Sequence, residues 1–402
     1  MNGRRRLAPE LRERETVKPL ELYFDLVFVL GFTQCTALMA HDPSWETVAQ
    51  AMLVLAMLWW AWAGYAWLTS VVEPEEGPVR FALFGAMAGL LVVALCVPEA
   101  FGDRAAAFAV AYGVVRGGHI VLFLLASRDD PGLRGSVTSL AVSSAIAVGL
   151  LFGASFLDGP AQGSLWVLAI LLDFGGPGLF GVAGWRLVPA HFAERHNLVI
   201  ILALGESIVV LGVGAEVGIT AGVIAAAALG IGLASALWWI YFDVVTLVTE
   251  ARLTQAPAGA VRNALARDAY SYLHLPMVAG IILAALGLEE TLAHVDEHLH
   301  TVPAFALLGG IALYLLAHVA LRLRGAGSIN YRRLGMAALM LALWPLALEI
   351  PALAMLAIVN LLLWSLIAYE TRLYGDVRYR LRHGLEVEVP ARRPATAGGG
   401  AR

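Results

Sequence analysis

The stretch VAQAMLVLAMLWWAWAGYAWLTS, residues 48–70, runs for 23 residues without an Asp, Glu, Lys or Arg. A hydrocarbon core about 30 Å thick takes about 20 such residues as a helix rising about 1.5 Å per residue. This stretch therefore reads as a membrane-spanning helix. The rest of the chain repeats the pattern. Of 402 residues, 59% are hydrophobic and only 14% are charged, against about 25% charged in a soluble domain. So little charge cannot cover a soluble surface, and the lipid bilayer is the expected partner.

Twelve apolar segments can be placed, at about 20–40, 48–70, 79–98, 105–127, 136–157, 164–184, 191–214, 220–247, 268–288, 302–322, 332–350 and 351–371. The expected fold is all-α, a polytopic transmembrane bundle of about 12 helices. Breakers mark the turns, among them Asp42-Pro43, Glu73-Pro74, Asp130-Pro131 and Gly159-Pro160. Residues 1–18 read as a basic cytoplasmic segment without a cleaved signal peptide, and 373–402 as a cytoplasmic tail.

Charge sets the expected orientation. With the N-terminus inside, Arg80, Arg128, Arg134, Arg186, Arg195, Arg252, Arg262 and Arg267 all fall in cytoplasmic segments, as do Arg322, Arg324, Arg332 and Arg333. Of 27 Lys and Arg, only Arg104 falls outside and only Arg116 inside a helix. That asymmetry predicts a multi-pass protein of the cell membrane with both termini in the cytoplasm. The net charge of −4 argues against a nucleic-acid partner. Cys35 and Cys96 sit inside apolar runs and read as helix-packing residues. Oligomeric state leaves no signal in the chain.

An internal repeat is visible. Glu21 to Leu30 resembles Glu194 to Leu202, Trp59-Trp60 recurs as Trp238-Trp239, and Tyr112/Arg116 has the spacing of Tyr314/His318. Six-helix units duplicate with preserved orientation, so residues 19–190 and 191–372 are expected to be parallel repeats.

Ionisable groups deep in a bilayer are costly and mark functional sites by default. By helical rise Arg116, Asp173 and Glu206 lie at similar depth, which suggests one buried charge cluster, functional or purely structural. Asp173 precedes Phe174-Gly175-Gly176-Pro177-Gly178, where proline removes a helical hydrogen bond and a broken or kinked helix is expected. Glu21 and Asp25 lie one turn apart on one face of the first helix, either as a site or as acids favoured at a helix N-terminus. Gln34 projects from the opposite face, where the repeat places Glu206. His191, Glu194, Arg195 and His196 read as interfacial ion-pair partners, or as a route for protons through imidazole. His119, His274 and His318 are packing histidines or members of a relay. His294 and His298 would share a face only if their acidic loop were helical, and no metal or other cofactor is expected. Gly85/Gly89 and Gly113/Gly117 fit close helix packing. There is no P-loop, nucleophile elbow or dinucleotide loop.

In combination, several motifs resemble the bacterial low temperature requirement A family over residues 17–380. They are Glu21-Leu22-Tyr23-Phe24-Asp25 with Thr33-Gln34, Trp59-Trp60-Ala61-Trp62, His191-Phe192-Ala193-Glu194-Arg195, Ala203-Leu204-Gly205-Glu206-Ser207 and Arg267-Asp268-Ala269-Tyr270 through His274. After Trp67 the chain reads Leu68-Thr69-Ser70-Val71, where the family often carries polar residues. The resemblance implies a polytopic membrane protein, named for a cold-growth phenotype, without a substrate. The leading expectation is a proton-coupled secondary transporter of a small solute. The alternatives are a membrane-embedded enzyme acting on a lipid or prenyl substrate, and a non-catalytic stress-adaptation protein.

Overall fold

Ten helical stretches in the computed structural model are long and apolar enough to cross a membrane. It describes residues 16–75, 77–179, 181–214, 218–373 and 375–382. The basic residues Arg4 to Arg6 and the tail beyond 382 lie outside them. Among the described residues there are helices and no strand; isolated bridge residues are Val72 and the pair His298 and Pro351.

The helices are α1 (Pro19–His41), α2 (Trp45–Thr69), α3 (Gly77–Cys96), α4 (Ala105–Ala126), α5 (Pro131–Ala154), α6 (Gly159–Leu179), α7 (Pro189–Gly214) and α8 (Ala221–Phe242). They continue with α9 (Val245–Gln255), α10 (Ala260–Ala266), α11 (His274–Ala293), α12 (Thr301–Ala326), α13 (Tyr331–Ala342), α14 (Trp344–Ala347), α15 (Ala352–Leu373) and α16 (Gly375–Arg382). All twelve expected segments are helical. The two that fall outside the ten are α6, diluted by Gly, Pro, Gln and Asp, and the α13–α14 pair. The latter begins with Tyr331-Arg332-Arg333 and is interrupted at Leu343, ahead of Pro345.

Local chemistry sets the boundaries. Ser44 caps α2 by accepting from the N–H of Thr47, and Thr220 caps α8 through Val223. Asp130 caps α5 with Pro131 in the first turn. The N–H of Leu133, together with Arg186, holds the Asp130 carboxyl below the usual carboxylate range. Gly327, at φ 66°, ends α12 in the left-handed region that favours glycine.

The expected break at Pro177 does not occur. Helix α6 runs through Asp173 to Leu179 with Pro177 in its last turn. There the loosened backbone is met by protein: Tyr272 donates to the Phe174 carbonyl (2.6 Å) and Arg267 to the Pro177 carbonyl (3.2 Å). His294 and His298 likewise share no helical face, because α11 ends at Ala293 and His298 pairs with Pro351.

Neighbour relations repeat along the chain. Helix α1 packs on α2 and α3, α3 on α4, α4 on α5, α5 on α6, and α6 returns to α2. Helix α7 packs on α8 and α11, α11 on α12, α12 on α13, α13 on α15, and α15 returns to α8. A tyrosine joins the second and fourth span of each set: Tyr65 donates to the Val115 carbonyl, and Tyr314 to the Leu237 carbonyl. The two sets meet where α1 and α2 pack on α7 and α11.

The tightest crossing is α11 on α12. A Cβ on Gly280 would lie 2.5 Å from the Gly310 carbonyl oxygen, and one on Gly287 would lie 2.4 Å from the Leu307 Cβ. Of the glycines expected at helix contacts, Gly89 and Gly113 do press on Val115 and Val148, whereas Gly85 and Gly117 meet nothing within 4 Å. Gly280→Ala should therefore cost about 1–3 kcal/mol, because backbone cannot give way as a side chain does. Gly85→Ala is the control. Melting temperatures of the two purified proteins in detergent test this; equal values would show that the crossing is loose.

Candidate functional site

Spacing creates the first cluster. Glu21 and Asp25 are four apart on α1, and His191 and Arg195 are four apart on α7, so each helix presents a short ladder one turn long. The ladders meet. Arg195 Nη1 donates to Glu21 Oε1 (3.0 Å) and to Thr69 Oγ1 of α2 (3.0 Å), while Nη2 donates to Asp25 Oδ1 (2.5 Å). His191 Nε2 lies 3.0 and 3.1 Å from the two Glu21 carboxylate oxygens. Trp62 Nε1 donates to Asp25 Oδ1 (2.8 Å), and its ring lies under the Arg195 guanidinium, 5.6 Å from the centroid. All four ionisable side chains are at most 1% exposed. Arg195, expected in a cytoplasmic segment, is instead the buried hub of the α1/α2/α7 junction. Glu194 faces elsewhere and accepts from the N–H of Val17 (2.9 Å).

The second cluster lies within the first set of helices. Arg116 of α4 donates from Nη2 to Asp173 of α6 (3.1 Å) and to Ser144 of α5 (2.5 Å), and Ser144 donates to the same Asp173 oxygen (2.7 Å). His119 Nδ1 approaches Arg116 Nη1 at 3.5 Å. Gly64 makes room for both: a Cβ there would lie 2.8 Å from the His119 ring and 2.9 Å from Arg116 Nη1. The adjoining cavity measures about 40 Å³. Glu206 does not join this pair. It faces α1, where Thr33 donates to its Oε2 (2.7 Å), and its Oε1 is buried with no partner among the described residues. The expected three-way cluster is thus one ion pair and one separate carboxyl, since similar depth in a bundle does not make helices neighbours. Gln34, next to Thr33, is half-buried.

A third group runs along the junction between the two sets. Tyr241 Oη lies 2.7 Å from His274 Nε2 and 2.9 Å from Asn197 Oδ1. The Nδ1 atoms of His196, His274 and His318 each face a backbone carbonyl, those of Phe192, Ala269 and Tyr314, at 2.7 to 2.8 Å. A carbonyl only accepts, so Nδ1 carries the hydrogen and Nε2 of the neutral ring presents its lone pair. In His196 and His318 that Nε2 is buried without a partner among the described residues. Ring centroids separate Trp62 from His196 by 5.0 Å, His196 from His274 by 5.4 Å, and Tyr241 from His318 by 5.9 Å. Ala269 reaches His274 from a π-helical turn, Arg267–Tyr272, which precedes α11. The string thus leads from the Arg195 hub to His318. His318 lines a cavity of about 410 Å³ bounded by α8, α9, α12, α13 and α15.

Sequence reading singled out the imidazoles and the acids. It missed Ser144, Thr33, Tyr241 and the Arg333–Glu370 ion pair (2.8 Å) between α13 and α15. Hydroxyls in apolar runs carry no spacing signal, and Arg333 read as a loop charge.

A family model described as bacterial low temperature requirement A protein matches residues 16–368. The chain is 32% identical over 316 residues to an uncharacterized protein of Rhizobium meliloti (strain 1021), covering 73% of this chain and 74% of that one. No solved structure matches.

Proposed function

The chain belongs to the bacterial low temperature requirement A family, and from that premise we propose that this integral membrane protein is a proton-coupled secondary transporter of a small solute. The observation that carries the reading is the buried string from the Arg195 hub through His196, His274 and Tyr241 to His318. Purely structural polar groups in a low-dielectric interior are satisfied by partners. Here two imidazoles keep a lone pair unmatched on a line that ends at a cavity. An imidazole can both take and give a proton. Glu206, with one oxygen bonded to Thr33 and the other unmatched, is the second proton-carrying candidate.

The repeated order of helix neighbours supports two parallel six-helix halves, 19–190 and 191–372, which rock against each other at the α1/α7/α11 junction. In the cell membrane both termini face the cytoplasm. The distribution of Lys and Arg along the sequence supports this reading. An enzyme acting on a lipid or prenyl substrate is the second reading, drawn from the cavity.

Proteoliposomes holding a pH-sensitive dye test the first reading. A panel of small acids, amines and sugars should include one class that evokes proton movement. His274→Gln should reduce that movement at least tenfold while the variant elutes as the native protein does. Proton movement unchanged by His274→Gln would remove the string from the mechanism. Solute uptake without proton movement would overturn the coupling.

A further inference from the structure

The two sets of helices each enclose a crevice between their second, fourth and sixth spans, and the crevices differ. In the first, Trp60 stacks on Phe174 (4.2 Å between centroids), Tyr272 lies beside both (5.9 Å from Trp60 and 6.3 Å from Phe174), and the cavity measures about 40 Å³. In the second, Trp239 at the corresponding position has its nearest aromatic partner, Trp364, at 6.4 Å in a tilted arrangement. The cavity there measures about 410 Å³. That is within the size range of small-molecule sites.

The lining has two chemistries. One part is hydrocarbon and aromatic, from Trp239, Val244, Val248, Leu265, Leu321 and Ile367. The other holds Arg252, Arg322 and Arg333, with Asp243 and Glu370. Both acids are committed, Glu370 to Arg333 at 2.8 Å and Asp243 to Arg378 at 3.2 Å. Arg252 is not. It packs across Gly325, lies close enough to Arg322 for the two charges to repel, and has a buried Nε without a partner among the described residues. Trp239 Nε1 and His318 Nε2, on the same cavity, are also buried and unmatched among the described residues. An uncompensated guanidinium beside a second one, in a partly buried site, calls for an anion.

We infer that this cavity binds an amphiphilic anion: an acidic headgroup held by Arg252 and Arg322, with a hydrocarbon chain lying along Trp239, Val248 and Leu321. The ligand comes either from solution, as a medium-chain acid, or from the bilayer, as an acidic lipid. The inference names a ligand class for the cavity on which the transport reading ends, and binding is measured without any proton gradient. Binding without proton movement leaves the site in place and overturns the coupling. Proton movement with no amphiphile bound does the reverse.

The full-length protein in phosphatidylcholine nanodiscs is titrated with decanoate carrying a terminal bromine, which quenches nearby tryptophan. Saturable quenching is expected, weakened at least tenfold by Arg252→Gln and abolished by Val248→Trp, which fills the chain region without changing charge. Size-exclusion profiles confirm that both variants fold. Competition identifies the source: displacement by phosphatidylglycerol at lower concentration than by unlabelled decanoate assigns the site to a bilayer lipid, and the reverse order to a soluble acid. Binding of decyltrimethylammonium as tight as that of decanoate would overturn the inference. So would inorganic phosphate competing as well as decanoate, or Arg252→Gln binding unchanged.

Discussion

Arg195→Ala should lower the stability of the protein by at least about 3–5 kcal/mol, the usual cost of stranding a buried charge. Glu21 and Asp25 are both at most 1% exposed and both take hydrogen bonds from this one guanidinium. Without it, two carboxylates remain in low dielectric with Thr69, Trp62 and His191 as their surroundings. The effect is a large share of a typical folding free energy of 5–15 kcal/mol, so much of the variant is expected to aggregate on extraction. Arg195→Lys should recover only part of the loss, because a point ammonium cannot replace the fork that reaches both acids. The contrast is Arg104→Ala. Its partner Glu99 is 3.1 Å away, but both side chains are about half exposed, and such pairs contribute about 0–1 kcal/mol. Thermal unfolding followed by size exclusion in one detergent measures all three. An Arg195→Ala protein as stable as Arg104→Ala would mean that the hub carries no load.

Arg116→Ala should have a comparable effect, again about 3–5 kcal/mol, since Asp173 and Ser144 lose their shared donor. The informative variant is the double replacement Arg116→Met with Asp173→Leu. Apolar residues of similar volume remove the charge together with its partner, and buried pairs replaced in this way often recover stability. The double variant is therefore expected to melt close to the native protein. If it also keeps solute-dependent proton movement, the pair is a clasp joining α4, α5 and α6, and the string to His318 and Glu206 are left as the coupling candidates. If it folds but loses proton movement, the pair belongs to the mechanism. A double variant no more stable than Arg116→Ala would show that the loss comes from packing and not from an unpaired charge.

How much was legible before folding differs residue by residue. The apolar runs and their breakers located the twelve long apolar segments, because lipid demands about 20 apolar residues whatever the neighbouring helices are. The short α10 and α16, and most of α9, lie in stretches that read as loop or tail. Gly89 and Gly113 were readable as contacts, while Gly85 and Gly117, equally small and equally spaced, face open space. The same limit applies to charge. Helical rise placed Arg116, Asp173 and Glu206 at similar depth, but rise along an axis says nothing of the angle around it or of which helix stands beside which.

Chemistry that repeats along one helix was therefore available from the sequence: Glu21 with Asp25, His191 with Arg195, Tyr314 with His318. The joining of Glu21 to Arg195 across 174 positions, and of Tyr241 to His274 across 33, came only with the tertiary structure. So did the contrast between a narrow crevice beside Trp60, which stacks on Phe174, and a wide one beside Trp239. Hydropathy is a property of each segment against lipid, and a sequence states it outright. Pairing and cavity shape depend on how rigid helices pack side by side, and that is settled only by all of them together.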